Sequence, residues 1–371
     1  MPNTKRAIYF VVDEGFEPIA TATAIRLATL TDADIHIFLE RRTHDRSWKP
    51  SIDNPRIFYH IDVLSEKLPK DIPLVTTHYF PPIIYLRLFA PEILHSYERV
   101  LYLDADIYLN YFPAWIWSLS LPHSLAAVGD ILTNTAAHSK DKATCDRLRA
   151  IGLKTNRYFN SGVLLIEPKG WNKHNWPQLL RDYFADYGTH VIYGDQDFLN
   201  YTFENKWLEL SPRFNFQHHL FGLDLEPFFR PCFLHFSSKE KPWWPSLGFY
   251  HQSYTALYQD MFAKAAIPYP SSSTNLKWTH RLKNRLRLLL SQIGLGGRRM
   301  KKYKRQRKEF LNDFAPYMAD ALSQGRFADP LPKDFKINHD TIEFGNARLI
   351  TPHITISTES LIEEQANGKK V

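Results

Sequence analysis

Over its first two thirds the chain alternates short β-rich apolar runs with stretches of helical period. Ala7–Val12 predicts a buried strand, and Pro18–Leu30 a helix with proline in its first turn. Asp34–Leu39 and Arg56–Ile61 read as strands, Pro82–Leu94 as helical, and Arg99–Leu103 as another buried strand. Ser124–Val128 and Tyr158–Glu167 follow as strands, with a polar helix near Ser139–Ile151 between them. Gln178–Tyr187 predicts a helix, Lys206–Leu210 a short strand, and Pro231–Phe236 the last strand of this body. That alternation predicts an α/β domain with a mostly parallel central sheet.

The pattern changes after Pro270. Ser271–Ser273 mark a break, and Trp278, Leu282, Leu286, Leu289, Leu290 and Ile293 then fall on one helical face, opposite Arg281, Lys283 and Arg287. Gly294, Gly296 and Gly297 end that helix, and a basic run over Arg298–Lys308 leads into a second helical pattern. It runs through Phe310, Leu311, Phe314, Tyr317, Met318 and Leu322 and stops at Gly325. Beyond Pro332, Phe335–Ile337, Ile342–Phe344 and Ile354–Ile356 predict short strands with a Gly345-Asn346 turn. The expected division is therefore a body over 1–265, a basic helical region over 271–330 and a β-rich tail over 331–371.

Charge sharpens this division. The 371 residues carry a net +7, yet 277–308 alone hold 13 Lys or Arg and no acid, so the remainder is −6. A basic patch beside an apolar stripe suits phosphate-bearing surfaces, and here an anionic membrane above all. Trp278 and Tyr303 are the only aromatics of that segment, fewer than a stacking platform for nucleic acid would carry. No apolar run approaches the roughly 20 residues of a spanning helix. The first apolar run meets Asp13 and Glu14 too soon for a signal peptide. Two sparse cysteines, Cys145 and Cys232, fit a reducing compartment. Together these predict a cytoplasmic protein that lies on the inner face of the cytoplasmic membrane.

In open α/β sheets, ligands bind beyond the carboxyl ends of the strands, and four polar segments occupy such places. The first is Asp13-Glu14-Gly15, which serves either a ligand or the cap of the next helix. The second is Asp104-Ala105-Asp106, two carboxylates that can share one divalent ion with diphosphate oxygens. The tripeptide alone says little, because Asp32-Ala33-Asp34 repeats it in a helix–strand loop. The 104–106 copy is set apart by the buried strand before it and the apolar Ile107-Tyr108-Leu109 after it. The third is Asn160-Ser161-Gly162 ahead of an apolar run, followed by Asp195-Gln196-Asp197 at a helix start. The fourth is His235 at a strand end with Lys241-Pro242-Trp243 behind it. Here a neutral imidazole can bind metal and the lysine can meet phosphate.

In this order the four segments resemble glycosyltransferase family 8, over roughly residues 6 to 245. The resemblance implies a GT-A fold, with a Rossmann-like, mostly parallel sheet. It implies a retaining hexosyltransferase that uses a UDP-sugar, in lipopolysaccharide or other cell-surface glycan synthesis. Asp104, Asp106 and His235 would hold Mn²⁺ (or Mg²⁺). Asp13, Arg87, Asp104, Ser238 and Lys241 would face the UDP-hexose donor, with Asp13 on the uridine and Lys241 on the diphosphate. Asp130, Asn160, Asp195 and Gln196 would surround the transferred sugar. Gln196 stands where a catalytic nucleophile would be sought, and an amide is a poor one. Ser238 replaces the family's glycine, and Gly15 a small polar residue usually asparagine. The resemblance further implies a saccharide acceptor, lipid-linked in the first instance.

Two rival readings make different demands. Nucleic-acid binding through 277–308 lacks a recognisable module. A non-catalytic binding protein on the same fold should have lost a metal ligand, and none is lost.

Overall fold

A computed structural model describes residues 5–41, 52, 54–74, 81–221, 223, 225–238, 241–243, 252–270 and 298–329, with three strands between 335 and 350. The central sheet has seven strands: β1 (Arg6–Val12), β2 (Asp34–Leu39), β3 (Ile57–Ile61), β4 (Arg99–Leu103), β6 (Leu125–Gly129), β7 (Phe159–Ile166) and β8 (Leu208–Leu210). Their order is β3-β2-β1-β4-β7-β6-β8. All neighbours are parallel except β7, which runs against both β4 and β6. A second sheet, β5-β10-β9, is built from β5 (Ile107–Leu109), β9 (Phe216–Gln217) and β10 (Phe233–His235).

The main strands are near-continuous apolar runs because both of their faces are covered. Tyr9, Val100, Tyr102, Leu164 and Ile166 point into one cluster. Their neighbours Ile8, Phe10, Leu101, Leu103, Val163 and Leu165 point into another. α1 (Glu17–Leu30) covers the second face with Ala20, Ala24 and Leu27. α6 (Trp176–Tyr187) and α7 (Asp195–Thr202) cover the first with Leu180, Tyr183, Phe198 and Leu199. α2 (Ala90–Ile93), α3 (Ile131–His138), α4 (Lys142–Ala150), α5 (Pro168–Trp171), α8 (Glu226–Phe229) and α9 (Gln252–Lys264) complete the body.

The helix α10 (Arg298–Ser323) carries the second helical pattern to its stop, where Gly325 takes φ +60°. Its Leu311, Phe314, Tyr317 and Met318 are buried in a third cluster with Ile19, Tyr108 and Phe236. At about 2 kcal/mol for each such side chain, this face is firmly docked. Behind it Arg326 forks onto Glu209 at 2.9 and 3.0 Å. The basic residues Arg305 and Lys308 stay exposed. The strands Phe335–Asn338, Thr341–Phe344 and Ala347–Ile350 form an antiparallel meander as β11, β12 and β13. The last of these has no counterpart in the apolar pattern.

Two local expectations change, and one helix is added. Pro82–Leu94 is a 3₁₀ turn over Pro82–Leu88 followed by the short α2, because Pro91 lacks the N–H that would continue the ladder. The helix expected near Ser139–Ile151 is α4, capped by Asp141; α3, capped by Asp130, precedes it over a stretch for which no element was expected, with Lys140 at φ 61° between them. Asn160-Ser161-Gly162 lies inside β7, where the pairing jumps from Ala127–Leu164 to Val128–Asn160 and leaves 161–163 bulged. The apolar face from Trp278 to Ile293, the Gly345-Asn346 turn and Ile354–Ile356 fall outside the described residues. Among the described residues, no helix is long and apolar enough to cross a membrane.

Candidate active site

The site is made by one short antiparallel pairing. After β4 the chain turns at Asp104, whose N–H donates to the Gly162 carbonyl at 2.8 Å and whose carbonyl accepts from Ile107 at 3.2 Å. The chain then runs into β5, which pairs with β10 so that Ile107 stands opposite His235. Phe236 N–H closes the pairing on the Asp106 carbonyl at 3.1 Å. Two segments far apart in sequence thus meet: His235 Nε2 lies 3.3 Å from Asp106 Oδ1 and 3.5 Å from Asp104 Oδ2. One ligand atom from each of the three residues lies within 4.8 Å of the others.

Cations surround this cluster. Lys241, 135 positions from Asp106, reaches its Oδ2 at 2.5 Å and donates to the Phe236 carbonyl at 2.8 Å. Burial alone would raise the Asp106 pKa, but neighbouring charge, the Lys241 ammonium first, holds the carboxyl well below its usual range. Arg87 donates to Asp104 Oδ1 at 3.1 Å and to the Ser161 carbonyl at 3.0 Å, above the Tyr102 ring. Tyr102 donates its hydroxyl to the same Asp104 oxygen at 2.6 Å. Burial would lower the Arg87 pKa, yet Asp195, Tyr102 and Asp104 together keep it raised, so the guanidinium stays charged. Asp195 Oδ2 lies 3.1 Å from Arg87 Nε. Burial, partly opposed by Arg87 and reinforced by Asp104, pushes Asp195 up to about 7.

Two features make the cluster fit a divalent cation. Asp106 Oδ1 is buried and accepts no hydrogen bond, and such an oxygen is costly unless a cation meets it. The backbone opposite is also cut away. A Cβ on Gly162 would lie 2.4 Å from His235 Cε1 and 2.8 Å from Asp104 Oδ2. Two carboxylates and an imidazole are hard-to-borderline donors, suited to a divalent cation rather than a soft one.

The other expected residues lie around this centre. Asp130 caps α3 by accepting from Thr133 N–H at 3.0 Å, and Asn160 Nδ2 approaches it at 3.5 Å. Gln196 Oε1 accepts from Ser161 N–H at 3.0 Å, so its amide braces the bulge in β7. Asp13 Oδ1 accepts from Gly15 and Phe16 N–H at 3.0 and 3.2 Å, as a turn cap ahead of α1. That turn sits by the lysine loop, since Phe16 packs edge-on against Trp243 at 6.2 Å. Ser238 is half-buried just past β10.

Sequence reasoning gave Asp197 no role beyond its place in the Asp195-Gln196-Asp197 run, and missed Tyr102 and Asn215. Asp197 is fully buried and accepts from Ile192 and Tyr193 N–H, both at 2.9 Å, fixing the loop before α7. Tyr102 looked like one more apolar strand residue. Asn215, fully buried between Phe214 and Phe216, contacts His235; an amide inside an aromatic run was the available signal.

Comparison with known proteins adds the wider context. The family model for Glycosyl transferase family 8 matches residues 8–245. Glycosyltransferase GlyF of Streptococcus pneumoniae serotype 4 is 30% identical over 169 residues, 43% of this chain and 37% of that protein. Glycosyltransferase GlyE of the same organism is 28% identical over 262 residues, 66% of this chain and 58% of that protein. The chain thus spans well under two thirds of these relatives' lengths. An active-site mutant of LgtC is similar in fold, with a TM-score of 0.56 at 20% identity over 68% of this chain and 95% of that one. The galactosyltransferase LgtC solved with donor and acceptor sugar analogs gives a TM-score of 0.51 at 21% identity, over 74% of this chain and 99% of that one.

Proposed function

The chain belongs to glycosyltransferase family 8, and from that premise we propose that it is a retaining hexosyltransferase. It moves galactose or glucose from a UDP-sugar to a saccharide acceptor. One observation carries the reading: Asp104, Asp106 and His235 converge within 4.8 Å, with the Lys241 ammonium on the same carboxylate. Asp104, Asp106 and His235 would hold Mn²⁺ (or Mg²⁺), which would supply charge neutralisation for the departing diphosphate. That a structure of LgtC holds donor and acceptor sugar analogs supports the sugar assignment.

The chain's own residues then take the following parts. Lys241 binds a diphosphate oxygen once a cation shares the Asp106 charge. Asp13 meets the uridine, and Ser238 lines the diphosphate where a glycine would allow closer backbone approach. Arg87 stays charged and holds Asp104 and Asp195 in place beside the sugar. Asp130 and Asn160 orient the sugar's hydroxyls. Gln196 offers only an amide, already bound to Ser161 N–H, so it is not the nucleophile. Transfer is front-face: the acceptor hydroxyl attacks the anomeric carbon as its bond to UDP breaks, and a β-phosphate oxygen takes the hydroxyl proton.

The deciding assay is UDP release with Mn²⁺ across UDP-Gal, UDP-Glc and UDP-GlcNAc. Turnover of a UDP-hexose supports the reading, and release from no UDP-sugar overturns it. A glycosyl adduct trapped on Asp195 would overturn front-face transfer.

The acceptor is a lipid-linked oligosaccharide of the cell surface, as in lipopolysaccharide assembly. The catalytic residues lie within 1–265, with the later turns of α10 docked against that body. The basic stretch over 277–308 holds the enzyme on the inner face of the cytoplasmic membrane. Arg305 and Lys308, exposed while the following turns of α10 are docked, support this division of labour. Co-sedimentation with vesicles, with and without residues 271–310, tests it. Binding confined to anionic vesicles is expected, and equal binding to neutral ones would contradict it.

A further inference from the structure

The direction of every hydrogen bond behind His235 is set by a single backbone amide. Gly162 N–H can only donate, and its acceptor, at 3.0 Å, is therefore the carbonyl oxygen of the Asn160 side chain. That oxygen lies 2.8 Å from the Asn215 amide, whose facing atom must then be the donor Nδ2. The remaining amide atom of Asn215 is its Oδ1, an acceptor only, and it lies 2.8 Å from His235 Nδ1. The imidazole proton is thereby assigned to Nδ1, and Nε2 faces Asp106 Oδ1 and Asp104 Oδ2. A metal-bound Nε2 requires this tautomer. Asn215 is buried throughout, so no water competes for its amide. At its far end the relay reaches Asp130 through Asn160 Nδ2 at 3.5 Å.

We propose that Asn215 is a positioning residue: it holds His235 with Nε2 toward the two carboxylates and ties that ligand to Asn160 on the sugar side of the pocket. The inference rests on the reading that a divalent cation occupies the site. It requires Asn215 to act through His235 alone, since no contact with the carboxylates is involved.

The test is Mn²⁺ affinity, read by electron paramagnetic resonance of the free ion in the presence of UDP. Asn215→Leu keeps the branched outline, though with more bulk, and leaves Nδ1 unpaired; it should weaken Mn²⁺ binding by about 10–100-fold, the range for losing such a partner. Asn215→Asp restores an acceptor to Nδ1 but sets its other oxygen against the Asn160 carbonyl oxygen, so it should recover only part of that loss. Unchanged affinity in Asn215→Leu overturns the inference, as does an Asn215→Asp no better than Asn215→Leu. A wild-type chain that binds no Mn²⁺ overturns the metal reading and the inference with it, so the two failures are distinguishable. Should neither variant fold, ¹H–¹⁵N correlation spectra of histidine-labelled, metal-free wild type decide, with His235 assigned by its loss in His235→Gln. A proton on Nδ1 is expected, and one on Nε2 alone overturns the proposal.

Discussion

The tripeptide Asp-Ala-Asp occurs at 32–34 and again at 104–106, in identical letters and opposite circumstances. The first copy enters β2 at its amino end. Asp32 is exposed, and Asp34 accepts the Tyr97 hydroxyl at 2.8 Å. The second leaves β4 at its carboxyl end, where Arg87, His235 and Lys241 converge on it. Strand direction makes the difference. Carboxyl ends of parallel strands open on one rim of the sheet, and only there can a later strand such as β10 bring a histidine alongside. The local sequence supplies the ligands, and the topology decides which pair becomes a site.

Five substitutions break or sharpen this contrast. Asp106→Ala should lower UDP-sugar turnover by on the order of 10³-fold, while Asp32→Ala should leave it unchanged; comparable losses in both would erase the distinction. Gly162→Ala forces a methyl group into the His235 ring and the Asp104 carboxylate. Neither can easily retreat, and roughly 10²-fold less turnover is expected, with weaker Mn²⁺ binding measured alongside.

Asp195 gives a pH signature. Its pKa, pushed from 3.8 to about 7 by burial, is raised in the native state, so the native protein holds an extra proton between those values. The stability this group contributes is therefore present at low pH and falls as pH rises through that window. In metal-free protein Asp195→Asn should raise Tm more at pH 8 than at pH 5, by a few degrees in thermal melts. An equal change at both would contradict the buried, proton-holding environment. The smallest effect belongs to Asp34→Ala, which loses the Tyr97 hydrogen bond. About 1 kcal/mol of stability should go, read by urea denaturation, with turnover intact.

Much of this was legible in the sequence, and what was not has a physical reason. β4 and β7 are apolar on both faces, so their runs stood out and fixed Asp104 and Asn160 near strand ends. Their order gave the family resemblance that the match over residues 8–245 bears out, together with the mostly parallel sheet. Whether His235 stands beside Asp106 could not be read, because β5 and β10 are three residues each and their pairing is a long-range event. The bulge in β7 hid for a related reason: it exists only against β6. Asn215 looked like a polar interruption between two phenylalanines, and its meaning depends on which atoms of Asn160 and His235 face it. The docking of α10 was half legible, since its apolar positions were plain while the surface they cover was not.

The most direct test of the central claim, that strand-end placement turns Asp104-Ala105-Asp106 into a cation site, is a calorimetric titration of Mn²⁺ in the presence of UDP. It compares wild type, Asp106→Ala and Asp34→Ala. One Mn²⁺ per chain for wild type and Asp34→Ala, with binding abolished in Asp106→Ala, is the predicted result. Equal binding by all three chains would contradict the account.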